Sequence, residues 1–326
     1  MWFLKLSLAF SFFSFLFSNN PSFAHELDTY VVITSGRSDS LERVFSDPCI
    51  SGVTLYVGWS KLQPEENRYD FSILKNALNL AVRNNKKVNI GLLAGRWVPQ
   101  WVFEKQIEFV EWDHVDSYVE DGVSRKAKAP VPWDKKYIEY FSKFLSEVSL
   151  LVNAYENSVN SIAITGGSNT NGLEANFYMP MVAIGKTSFS FSKYRNNWEY
   201  LIDMYESLFP SFPKTFAVHE QFFGFRDSSI SKHLVGYGVK KYGKKFIPQA
   251  LAFTEEEWFK EGNSYADLVI SRPAGSDFVL QSIRAYSKSN DFERFEKMKN
   301  KAKLLNPLWL EIWLDDFLSG YYCKSY

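Results

Sequence analysis

The chain has 326 residues with 37 basic and 37 acidic side chains, and this balance gives no reason to expect nucleic acid or an acidic membrane surface as partner. Four scattered histidines and two cysteines show no ligand spacing, so neither a metal nor another cofactor is expected. Aromatic residues make up 17% of the chain, with 10 Trp and 18 Tyr, a content that suits stacking on sugar rings and equally the core of a large barrel.

Residues 1–24 read as an export signal: Lys5 supplies a positive charge, Leu6 to Phe17 a short apolar run, and Ser22-Phe23-Ala24 a small-x-small cleavage site. The alternative is an uncleaved anchor, but the run falls short of the ~20 residues a spanning helix needs. The expectation is a periplasmic or secreted protein starting at His25, with no stable membrane insertion after cleavage. Cys49 and Cys323 could then pair or remain separate thiols.

From there strands and helices alternate, which argues for a parallel sheet. Strands are expected at Thr29 to Thr34, Gly52 to Trp59, Val88 to Ala94, Ser161 to Thr165, Thr215 to His219 and Phe246 to Phe253. The seventh is either Ala266 to Ile270 or Phe278 to Gln281, and the eighth is Leu308 to Leu314. Helical spacing marks Leu74, Ala77, Leu78 and Ala81, the long segment after Trp133, and the stretches Trp198 to Leu208, Ser231 to Lys240 and Phe292 to Leu305. Residues 104–130 break the rhythm as an insertion that either shapes a cleft or decorates the surface. Eight strands with no linker read as one α/β domain over residues 25–326, a (β/α)8 TIM barrel, with functional groups at the C-terminal ends of its strands.

Several motifs in the first half point further. They are Trp59-Ser60, Leu62, Pro64-Glu65 and Tyr69-Asp70-Phe71, then Pro99-Gln100-Trp101, then Val131-Pro132-Trp133-Asp134, and Ile162-Ala163-Ile164-Thr165-Gly166 followed by Glu174. These residues resemble the catalytic-barrel start of β-galactosidase-like glycoside hydrolases, well from about Gly52 to Glu174 and loosely beyond. The resemblance implies that Glu174 is the general acid/base. It also implies a nucleophilic Glu at the end of the seventh strand, where this chain offers Gln281 instead.

Cleaving a glycosidic bond takes one carboxylic acid to protonate the leaving oxygen and a second carboxylate to attack or to activate water. Glu174 follows a small, polar segment, Gly166 to Gly172, expected to bring backbone close to a ligand. For the second carboxylate there are two candidates. Glu311 alternates with Leu310 and Ile312 and so points into the barrel or a cleft, as a catalytic group or a structural one held by Arg96 or an indole. Glu220 ends the fifth strand. Trp59, Trp97, Trp101, Trp133 and Trp313 are candidate sugar-facing aromatics, each with a core role as the alternative, and Asn169, Asn171 and Gln281 could bond hydroxyls. The leading expectation is an exported glycoside hydrolase-like protein using a carboxylate pair, with retention or inversion left open. The missing seventh-strand Glu keeps a non-catalytic carbohydrate-binding barrel in play, and the insertion a secreted interaction protein.

Overall fold

A computed structural model describes residues 27–115, 124–177, 185, 187–222, 225–273 and 276–322. The expected export signal, residues 1–24, and Cys323 lie outside these residues, and Cys49 is exposed.

Eight parallel strands close into a barrel: β1 (Thr29–Thr34), β2 (Gly52–Gly58), β3 (Lys87–Leu93), β4 (Val159–Ala163), β5 (Lys214–Ala217), β6 (Phe246–Phe253), β7 (Val279–Ser282) and β8 (Leu310–Trp313). Each strand pairs with its sequence neighbours, and β8 closes the ring on β1 with Tyr30 opposite Glu311. The expected strand order therefore holds, with a (β/α)8 architecture. For the seventh strand, the second of the two expected segments is the one that pairs, between β6 and β8. The alternative, around Ala266 to Ile270, is a helical turn over Asp267–Ile270, whose start is fixed by Asn263 Oδ1 accepting from the Tyr265 and Ala266 amides.

The larger outer helices are α1 (Ser72–Asn84), α2 (Lys135–Asn153), α3 (Phe191–Leu208), α4 (Ser229–Tyr242) and α5 (Phe292–Leu305). Asp134 caps α2 and Asp291 caps α5, each carboxylate accepting an amide of the first turn. Helix α3 starts at Phe191, earlier than the Trp198 expected, because Ser190 caps it by accepting from the Lys193 amide. Among the described residues no helix is long and apolar enough to cross a membrane.

The insertion forms an antiparallel ribbon, Phe109–Val115 with Ser124–Pro130, in which Glu111 faces Lys128 and Asp113 faces Lys126 across the strands. Its second strand packs against Gly95–Trp97.

Strand parity sorts the core. Val31, Ile33, Val53, Leu55, Val57, Ile162, Leu310 and Ile312 face outward into one large cluster shared with the helices. The alternate residues fill the barrel in layers. At the bottom lie Tyr30, Ile247, Val279 and Trp309. A polar layer comes next, with Thr54, Asn89, Ser161, Gln249 and Glu311 all buried. Val32, Tyr56, Leu93, Ala163, Ala217, Leu251 and Trp313 form the top layer, beneath the mouth.

Candidate sugar-binding cleft

A cleft of about 570 Å³ opens at the C-terminal mouth. Its floor is the top layer of the barrel, including Val32, Leu93 and Leu251, together with Gln281. Tyr56 donates its hydroxyl hydrogen to Gln281 Oε1 at 2.7 Å, so the end of the seventh strand presents a fixed amide rather than a carboxylate.

Glu174 reaches the cleft through the loop after β4. The Gly166 amide donates to the Gly172 carbonyl at 2.9 Å, closing the loop. The chain then returns beside β5, where the Ala175 amide bonds the Ala217 carbonyl. Gly166 and Gly167 serve this turn and its packing. Gly166 has φ +98°, and a Cβ there would meet the Phe141 ring at 2.4 Å. Gly167 presses against the Trp198 ring in the same way.

Burial pushes the Glu174 carboxyl above its ordinary pKa, while His219 and a hydrogen bond from Asn171 partly offset the shift. His219 Nε2 lies 3.8 Å from Glu174 Oε1. Asn171 also lines the cleft, and its Oδ1 accepts from the Leu173 amide, which fixes the side chain beside the acid.

Glu311 is positioned otherwise. It lies in the polar layer, beneath the floor, and does not line the cleft. Oε1 accepts from Thr54 Oγ1 at 2.8 Å and Trp309 Nε1 at 3.1 Å, and Oε2 from Gln249 Nε2 at 2.8 Å. Asn89 extends the network, donating to Thr54 and accepting from Ser161. Burial still dominates and pushes this carboxyl up to about 7. An indole holds it, as one sequence reading had it, but Arg96 does not; that side chain lines the cleft, its guanidinium 5.5 Å from the Trp97 ring centre. Glu220 sits on the rim beyond β5, bonded by the Ser264 hydroxyl and 3.7 Å from Arg226.

Of the five tryptophans, Trp97 and Trp313 line the cleft. Trp97 is held there by Gly95, whose φ of +56° lets the backbone press against the Thr170 carbonyl, and by the Arg96 amide bonding that same oxygen. Trp313 is fixed by its indole donating to the Ser282 carbonyl at 2.8 Å. Trp59 corrects the expectation for its position. Though it directly follows β2, it is fully buried among Phe141, Phe144 and Trp101 in the outer layer, donating to Gln63. Trp101 packs edge-on against Trp59 and Tyr140, and Trp133 packs against Phe177 and Phe189. Neither lines the cleft, and Asn169 is buried within its loop.

Three charged cleft residues escaped the sequence reading: Arg37, Lys288 and Asp315. Asp315 stands two residues past the end of β8 and Arg37 just past β1, and the barrel rule of function at strand ends was the signal that could have found both. Asp315 accepts from Arg37 Nη1 at 3.1 Å and lies 3.5 Å from Lys288 Nζ. Among the described residues no group of His, Cys, Asp and Glu is arranged to hold a metal ion.

Comparison with known proteins agrees with this geometry. The family model described as β-galactosidase matches residues 43–181, the part of the chain in which the resemblance was read. The fold is shared with the catalytic domain of β-amylase from Paenibacillus polymyxa, at a TM-score of 0.53 and 11% identity over 89% of this chain and 93% of that one. Xylanase 10B from Thermotoga maritima gives 0.51 and 11% over 88% of this chain and 82% of its own. The corresponding xylanase from Thermotoga petrophila RKU-1, solved with xylobiose, gives 0.51 and 11% over 88% and 81%. No curated protein matches the chain. The chain thus carries a TIM barrel, and its residues 43–181 are similar to the β-galactosidase family.

Proposed function

We propose that the protein binds a glycoside in the mouth of its barrel and does not cleave it through a carboxylate pair. The observation that carries this is the pairing state of the carboxylates. Glu174 is the cleft carboxyl with raised proton affinity, whereas Asp315 is neutralised between Arg37 and Lys288. The position where the resemblance calls for a nucleophile holds Gln281, already bonded by Tyr56. Glu311 is engaged by its donors below the floor. One carboxyl can hold a sugar hydroxyl or lend a proton, but hydrolysis by this chemistry needs a second. Trp97 and Trp313 supply the apolar faces on which a sugar ring stacks.

A second reading has one observation behind it: Asp315 lines the same cleft as Glu174 and could activate water if a ligand drew Arg37 and Lys288 away. The two readings part in a calorimetric titration and a reducing-end assay run on one panel of glycosides, with the full chain and with Glu174→Gln and Asp315→Asn. Saturable binding without sugar release supports the proposal. Release that disappears in both variants supports the pair and overturns it.

We also propose that residues 1–24 are removed on export. N-terminal sequencing of the protein recovered outside the cytoplasm should begin at His25; an intact Met1 there would contradict this.

A further inference from the structure

We infer that the cleft recognises an acidic saccharide, a sugar bearing a carboxylate or a sulfate, with the anionic group seated at the wall made by Arg37 and Lys288. The inference deepens the sugar-binding reading and rests on it. The charged groups on the cleft wall, among the described residues, are Arg37, Arg96 and Lys288 against Glu174 and Asp315. Arg37 and Lys288 converge on a single carboxylate, that of Asp315, so this wall keeps an excess positive charge. Asp315 answers only one of the two charges; an anionic ligand group would answer the other, and a neutral sugar would not.

Both cations are within reach of a ligand, with side chains 46% exposed for Arg37 and 67% for Lys288. Arg37 meets Asp315 through Nη1, and a guanidinium offers several donors in one plane, a match for the paired oxygens of a carboxylate or a sulfate. Beyond Trp313 the cleft adjoins a second hollow of about 380 Å³ that shares Ile283, Lys288, Trp313 and Asp315 with it. The cationic wall therefore stands between two hollows. A saccharide of more than one unit could stack on Trp313 while its acidic unit meets Arg37 and Lys288. Arg284, also lining the second hollow, is bonded to Glu256 at 2.5 Å and adds no comparable excess.

The test is titration calorimetry of the full chain at low salt. Matched methyl glycosides and disaccharides serve as probes, each neutral sugar set against its uronic acid and its sulfated form. The acidic members should bind at least about tenfold tighter, with the preference shrinking as salt rises. The uronide and sulfate arms tell which anion the wall prefers. In Arg37→Met/Lys288→Met the preference should fall to about twofold or less, while Asp315→Asn, which unmasks the cations, should increase it. The double variant changes exposed groups and Asp315→Asn a partly exposed one, and urea unfolding checks that both fold. Neutral and acidic members binding equally, or a preference that survives the double substitution, overturns the acidic assignment and leaves sugar binding standing. Failure of every member to bind overturns both.

Discussion

The mouth of the barrel and its polar middle layer each contain a carboxyl that burial makes hard to ionise, and they use it in opposite ways. Glu174, at the mouth, borders a cavity and has His219 and Asn171 beside it. Glu311, one layer down, spends its oxygens on Thr54, Trp309 and Gln249 and does not line the cleft. The same division separates the tryptophans, with Trp97 and Trp313 at the mouth and Trp59 buried behind the sheet. Burial alone does not make a residue functional. At the mouth, acceptor and stacking capacity is left facing a cavity, as binding a ligand would require.

The largest effect that could break this division is at the tryptophans. Trp59→Ala should destabilise the fold by about 3–5 kcal/mol in urea unfolding, since it empties a site packed on every side. Trp97→Ala, at a residue 39% exposed, should cost about 1 kcal/mol or less while lowering affinity for a sugar ligand about tenfold. Comparable losses of stability in the two variants would contradict the separation of mouth from core.

Glu311 should come next, through pH. Its carboxyl titrates at about 7 in the folded chain and near 4.5 when unfolded, so between these values the native state holds a proton that the unfolded chain has released. Stability from this group is therefore greatest below about pH 4.5, falls as pH rises to about 7, and is flat above. The fall amounts to about 3 kcal/mol. Glu311→Gln cannot ionise and should remove that portion of the slope. A smaller fall should remain from Asp316, which burial raises to about 6. An unchanged slope in Glu311→Gln would show that this carboxyl is not the buried acid described.

The smallest effect on stability is expected at Glu174. Its amide variant keeps the shape and drops a charge that burial already disfavours, so Glu174→Gln should change unfolding free energy by about 1 kcal/mol or less. Loss of several kcal/mol would sharpen the comparison in an unwelcome way, by making Glu174 as structural as Glu311.

Much of the barrel was legible because its strands carry their parity in sequence. Alternation placed Glu311 on the inner side of β8, and the same rule, continued from Thr54 and Tyr56 past Gly58, turns Trp59 outward. The expectation for Trp59 rested on its position at a strand end, which tells height along the barrel but not side. Ala266 to Ile270 was ambiguous because a short apolar run such as Leu268-Val269-Ile270 suits either a strand or a helical turn. The depth of Glu311 was not legible, since parity gives inside or outside without saying which layer faces solvent. Nor was the cationic wall: Arg37 and Asp315 meet across 278 positions of sequence, and only barrel closure between β1 and β8 joins them.

The central claim, that the mouth holds a sugar with one effective carboxyl, is tested most directly by proton NMR of the unmodified chain with an aryl glycoside it binds. Saturation transfer reports contact between sugar and protein, and the anomeric region reports cleavage in the same tube. The account predicts transfer to the sugar-ring protons, weakened in Trp97→Ala, with no new anomeric signal over days. A reducing-sugar anomer that grows with the unmodified chain and is absent with Glu174→Gln would contradict it.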